Sequence, residues 1–118
     1  MDKLIIKVAL NEWVTKDLNP QTPYGPQEVA DDILACVDQG ASVFHFHGRD
    51  AQTGEQRRSD PQIYSEVMRL VQKSSDAIIC PGYQGLPLKN RFDHWQVLKN
   101  DPAVRFEMAP LDVGAFNL

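Results

Sequence analysis

The residues of this chain best suited to chemistry lie in Ser42-Val43-Phe44-His45-Phe46-His47-Gly48-Arg49-Asp50. The run begins β-branched and aromatic, the composition of a strand. Side chains two apart in a strand share a face, so the imidazoles of His45 and His47 project side by side. Gly48 ends the strand, and Arg49 and Asp50 place opposite charges just beyond it. Neighbouring imidazoles at a strand end suit a Zn, Fe, Ni or Cu ion. The same spacing also fits a hydrogen-bonded polar pair or a surface pair on a half-exposed strand, because two ligands do not complete a four-coordinate site.

What positions these groups is an alternation of strands and helices. Lys3 to Leu10 reads as a first strand, apolar through its middle as a strand buried on both faces would be. Asn11-Glu12-Trp13 follows it. Pro20, Pro23 and Pro26 exclude a helix between Lys16 and Pro26 and imply a stiff, extended loop. Pro26 opens the first helix, Gln27 to Gln39, whose stripe of Val29, Ile33, Cys36 and Val37 packs on a sheet. Gly40 fits the left-handed position after it, and the histidine strand begins at once.

Asp60 caps a second helix with Pro61 at its first position and Ile63, Val67, Leu70 and Val71 on its apolar face. Asp76 to Cys80 is a third strand, Asn90 to Lys99 a short helix, and Val104 to Met108 a fourth strand. Leu111 to Leu118 continues as a loop or short extended piece. Strand–helix alternation implies parallel strands with right-handed crossovers, in an open doubly wound sheet or part of a (β/α)8 barrel. Either fold binds ligands beyond the C-terminal strand ends. There Asn11 and Glu12, His45 to Asp50, Cys80 to Gly85 and Met108 to Asp112 converge.

Composition narrows the function classes. With 118 residues, 42% hydrophobic and 24% charged, the chain has the make-up of one globular domain, residues 1–118. Its net charge is -4, and Arg57-Arg58 is its one basic doublet, so nucleic acid is not an expected partner. No apolar run reaches the roughly 20 residues that span a bilayer, and Met1-Asp2-Lys3 leads into a run too short for a signal peptide. Cys36 and Cys80, far apart, read as reduced cytoplasmic thiols, each a packing residue rather than a nucleophile. His94, on the third helix, reads as a solvated surface residue, and Glu107 as a buried one on strand four.

In order along the chain stand Val8-Ala9-Leu10-Asn11-Glu12-Trp13, the proline loop, Pro26 to Cys36, Gln39-Gly40-Ala41, His45 to Asp50, Asp60-Pro61-Gln62-Ile63-Tyr64 and Glu107 to Asn117. In these the chain resembles the β-keto acid cleavage enzymes, which include 3-keto-5-aminohexanoate cleavage enzyme. The resemblance implies a TIM barrel, of which this sequence would be the first half, with a zinc ion bound by His45 and His47. It implies condensation of a β-keto acid with acetyl-CoA, then cleavage to acetoacetate and a new CoA thioester. A Lewis acid suits that chemistry because it stabilises the developing enolate. Glu12 is the matching acidic catalytic candidate after strand one. Arg49 and Asp50 are catalytic-site candidates that would orient the ligands or the loop. Asn11, Gly82 and Gly85 are candidates for substrate contact. The resemblance also implies a homo-oligomer, or a chain that needs the other half of the barrel.

Three departures stand out. The family's Ser-Thr-Gly-Gly-like segment after strand three, which holds the substrate carboxylate, is Cys80-Pro81-Gly82-Tyr83-Gln84-Gly85 here, whose backbone could still bind an anion but which lacks the Ser and Thr hydroxyls. Pro110 stands where a Ser or Thr is usual after strand four. Members of the family run to about twice this length or more, as a barrel of roughly 250 residues requires. A third metal ligand, a glutamate, the catalytic Asp and Arg and most of the CoA site would lie in the second half. A half-barrel exposes sheet edges and an apolar inner face and is expected to self-associate. The competing expectation is a non-catalytic metal-binding fragment or half-barrel assembly module. A small flavodoxin-like protein is disfavoured, since no phosphate-cradling glycine cluster follows strands one or three.

Overall fold

The sheet is built outward from the histidine strand. In a computed structural model that describes residues 3–83 and 89–110, β2 (Val43–Phe46) pairs in parallel with β1 (Lys7–Ala9) on one side and β3 (Ile78–Pro81) on the other. The order is therefore β1-β2-β3, sequential across the sheet. Three helices alternate with these strands: α1 (Pro26–Asp38), α2 (Pro61–Gln72) and α3 (Asp93–Asn100). The result is an α/β arrangement of parallel β/α units, with α1 packed on α2 and α2 on α3.

The two-residue period of the strands sorts the side chains. Val8, Phe44 and Ile79 stand in register across the sheet and join Phe46, Val29, Ile33, Tyr64, Val67, Met68 and Val71 in the apolar core. Phe44 and Phe46 are fully buried, each contributing about 1.5–3 kcal/mol over exposure. The alternate row, Ala9, His45 and Cys80, lies on the other face of the sheet. The histidines thus project away from the core because the phenylalanines between and before them project into it.

Both long helices begin as their sequences dictate. Pro26 and Pro61 occupy first-turn positions where a missing N–H costs nothing, and the Asp60 Oδ1 accepts from Gln62 N at 2.9 Å. Gly40 adopts φ 96° directly after α1, which turns the chain into β2 within three residues. The proline segment folds as consecutive turns, with Leu18 N and Asn19 N on Thr15 O and Thr22 N on Asn19 O, rather than as an extended loop.

Two strand expectations need correction. The first strand was expected from Lys3 to Leu10, buried on both faces. Pairing begins only where Ser42 N and Val43 N reach Ile6 O, so among the described residues Leu4 and Ile5 have no neighbouring strand and stay largely exposed. Strand length is set here by the partner, not by apolar composition. The fourth strand, Val104 to Met108, does not form. The Gln72 side-chain amide takes the place of a strand neighbour, donating to Arg105 O at 2.9 Å and accepting from Arg105 N at 2.8 Å. Val104 and Phe106 still lean on the core, whereas Glu107 is exposed rather than buried. Gly85, Asp112 and the 111–118 piece lie outside the described residues.

Candidate active site

The ends of β1, β2 and β3 meet around the two imidazoles. His45 and His47 have ring centroids 5.3 Å apart and planes crossed at 86°. His45 Nδ1 lies 2.7 Å from Cys80 O, so that nitrogen carries the proton and donates it. The tautomer leaves Nε2 with its lone pair toward the open side, where Glu12 Oε1 stands 3.9 Å away. Glu12 is half exposed, on the turn that follows β1.

His47 is nearly buried, and its Nδ1 makes no hydrogen bond. Burial, aided by the Arg58 charge and then by His45, pulls its pKa down to about 4. It is therefore a neutral imidazole at neutral pH, the protonation state a metal ligand requires. Its backbone is gripped by one side chain. Asn11 Oδ1 accepts from His47 N at 2.9 Å, and Asn11 Nδ2 donates to His47 O at 3.1 Å and to Pro23 O at 3.0 Å. Asn11 is buried and fully engaged with main chain, so its geometry is that of a clamp between two loops.

Arg49 is engaged in the same way. Its Nη1 donates to Gly54 O at 2.7 Å and its Nη2 to Glu12 O at 2.6 Å, with the guanidinium over the Tyr24 ring. Asp50 turns outward and caps the following turn, accepting from Gln52 N, Thr53 N and Thr53 Oγ1. These two residues orient the loop. That loop folds back as a small hairpin: Arg49 bridges Gln56 antiparallel, Asp50 N reaches Glu55 O, and Arg57 N reaches Gly48 O at 2.7 Å.

Gly82 closes the site from β3. A Cβ there would stand 2.9 Å from His47 Cδ2 and 3.1 Å from Tyr64 Oη, so only glycine lets this turn approach the imidazole. Its N–H is on Phe46 O. Its carbonyl is held by His94 Nε2 at 2.9 Å. His94 is thus buried beside Tyr64, contrary to the surface role expected of it, because α3 turns it toward the β3 end. Burial also lowers its pKa. Cys80 is buried with its thiol pKa raised by burial, a packing residue whose carbonyl serves His45.

Several contributors were not singled out from sequence. Tyr64 Oη accepts from Gly48 N at 3.0 Å and donates to Arg58 O at 3.1 Å, pinning the hairpin to the end of β2. Trp13 presents its ring edge-on to His47 at 5.9 Å, and the Arg58 guanidinium lies over that ring at 4.1 Å. The doublet Arg57-Arg58 shows only charge in the sequence, since Trp13 meets Arg58 through the fold and not along the chain.

The site offers two imidazoles, a half-exposed carboxylate and a guanidinium within one rim. Among the described residues, no group of three or more His, Cys, Asp or Glu is placed to hold a metal ion. The uncommitted Nε2 of His45 and the orphaned Nδ1 of His47 fit two positions of such a site.

Comparison with known proteins places this chain in a family. The chain is 34% identical over 118 residues to a 3-keto-5-aminohexanoate cleavage enzyme of Acetoanaerobium sticklandii, covering 99% of this chain and 41% of that protein. It is 31% identical over 118 residues to the enzyme of the same name from Fusobacterium nucleatum, covering 99% of this chain and 42% of the relative. A 3,5-dioxohexanoate:acetyl-CoA acetone transferase of Paraburkholderia graminis is 31% identical over 119 residues, 98% of this chain and 36% of its own length. The chain therefore spans about two fifths of the length of these relatives. The profile of the beta-keto acid cleavage enzymes matches residues 3–118, and the chain belongs to that family.

Proposed function

We propose that this chain is the N-terminal part of a zinc-dependent enzyme that cleaves a β-keto acid with acetyl-CoA. The observation that carries the reading is the imidazole pair. His45 is fixed as the Nδ1–H tautomer by Cys80 O, and His47 is held neutral beside it, at the ligand-binding end of a parallel sheet. The names of the relatives supply the substrate class. Sequential strand order, with helices packed side by side, is consistent with the opening units of a (β/α)8 barrel.

His45 and His47 would hold the zinc, completed by a ligand from beyond the described residues. When bound, the metal supplies Lewis-acid stabilisation of negative charge on the 3-keto oxygen. Glu12 Oε1, beside His45 Nε2, is the group placed to take the acidic proton from the carbon between the two carbonyls. The resulting carbanion attacks the thioester carbon of acetyl-CoA and releases CoA thiolate. The thiolate then attacks the original keto carbon and the old carbon–carbon bond breaks, releasing the new acyl-CoA and a carbanion that takes the proton back from Glu12 to become acetoacetate. Asn11, Arg49 and Gly82 act on the backbone around these groups, holding the loops after β1 and β2 and letting the turn after β3 approach His47.

The test is zinc content together with turnover. Untagged wild type is expected to hold about one zinc per active site, and His45→Ala/His47→Ala none. Equal zinc in both sinks the assignment. Zinc without acetyl-CoA-dependent formation of acetoacetate, in the presence of any downstream half, leaves the metal-binding fragment as the reading.

A further inference from the structure

We propose that Arg58 receives the carboxylate of the substrate and is a specificity-determining residue of this site. The inference rests on the β-keto acid reading above and deepens it.

Arg58 is a built feature of the rim. Its backbone is fixed to the end of β2, since Tyr64 Oη donates to its carbonyl at 3.1 Å and Arg57 N donates to Gly48 O at 2.7 Å. Its side chain is oriented from two directions. Arg58 Nε donates to Gln56 Oε1 at 2.9 Å, and Gln56 Nε2 in turn donates to Glu12 O at 2.8 Å. The guanidinium face lies on Trp13, 4.1 Å from the ring centroid, and that ring meets His47 edge-on. One aromatic ring therefore separates the cation from the imidazole pair.

Its two terminal nitrogens make no hydrogen bond, and no carboxylate lies within ion-pair distance, among the described residues. Its neighbours are committed elsewhere. Arg49 is bonded to two carbonyls, Arg57 to Glu55, Arg69 to Asp101, and Arg105 to Asp76 and Glu107. A solvated surface arginine swings freely, whereas this one has Nε and its face tied down. What remains is the planar fork of donors that matches a carboxylate in bidentate fashion.

The β3 side adds a reason for such a receptor. The segment from Cys80 lacks the hydroxyls that the family's pattern would supply, and the Gly82 N–H is committed to Phe46 O. A β-keto acid whose keto oxygen lies at the imidazole pair has its carboxylate close by, and the Arg58 fork is a donor on that rim whose terminal nitrogens are unengaged among the described residues.

Calorimetric titration with acetoacetate and with methyl acetoacetate isolates the charge. The intact wild-type protein is expected to prefer the acid over the ester by about tenfold to a hundredfold. Arg58→Gln brings the ratio near one without changing ester affinity, Arg58→Lys keeps part of it, and Trp13→Leu lowers it several-fold. Circular dichroism and melting establish that each variant is folded. A variant Arg58→Gln that keeps the wild-type ratio overturns the role of Arg58 while leaving the β-keto acid reading standing. If Arg58→Gln does not fold, an unchanged ratio in both Arg58→Lys and Trp13→Leu overturns it equally. Wild type that binds neither compound overturns the reading and the inference together.

Discussion

Asn11→Ala tests whether the histidine pair is held by the architecture described above. Asn11 makes three hydrogen bonds, all to main chain: one from His47 N and two to His47 O and Pro23 O. At about 1 kcal/mol net for each bond, its loss costs about 3 kcal/mol. The figure tends upward, since the site is buried and truncation leaves an N–H and two carbonyls without partners. Asn11→Asp separates donor from acceptor. The carboxylate still accepts from His47 N but faces two carbonyl oxygens with no hydrogen to offer, so it should cost at least as much as alanine at neutral pH. It should recover part of that loss in acid, where a protonated carboxyl regains one donor. The assay is urea unfolding with the midpoint and slope fitted together. A midpoint within error of wild type for Asn11→Ala, with weakened substrate binding, would refute the clamp and restore Asn11 as a residue that contacts substrate.

Other expectations follow from burial. Between pH 6.5 and about 4 the unfolded chain protonates a histidine that folded His47 keeps neutral, so stability falls as pH drops through that window, by about 3 kcal/mol in all. Buried His94 adds to the loss with the same sign, and a His47→Gln variant should show a visibly shallower slope in pH-dependent melting. Gly54 has φ 72° and a side chain there would enter the Tyr24 ring, so Gly54→Ala should lower stability by about 2 kcal/mol or more and loosen the turn that Arg49 holds, read from the denaturation midpoint. Cys80, buried and with a raised thiol pKa, should resist Ellman's reagent in the native protein and react fully in denaturant; rapid native labelling mapped to Cys80 would contradict its packing role.

The fold was legible where local chemistry and tertiary need agree. Proline at the start of α1 and α2, Asp60 before one and Gly40 after the other mark boundaries that backbone geometry itself imposes. It was misread where an apolar run says what a strand would like without saying whether a partner exists. Leu4 and Ile5 have the composition of a buried strand and, among the described residues, no neighbour to pair with. Val104 to Met108 has the same composition, but Gln72, thirty-three residues earlier, satisfies its backbone first. Neither outcome is encoded in the segment itself.

The site shows the same division in its polar residues. Types and spacing put His45, His47 and Glu12 together correctly in space, because a two-residue period and a strand end are local facts. They could not say which polar groups the protein uses on itself. Asn11 and Arg49 have the side chains of ligand-binding residues, yet Asn11 spends both amide hydrogens, and Arg49 one hydrogen from each terminal nitrogen, on main-chain carbonyls. Arg58 belonged to an unremarkable doublet, yet its stem is oriented and both of its terminal nitrogens are unengaged among the described residues. A buried polar side chain whose hydrogen bonds close within the chain stabilises the frame, and substituting it should first change folding. One held rigidly by its stem, with its terminal donors unengaged, has been preorganised for something that is not protein, and substituting it should first change binding. Asn11→Ala and Arg58→Gln set these two cases side by side around the same imidazole.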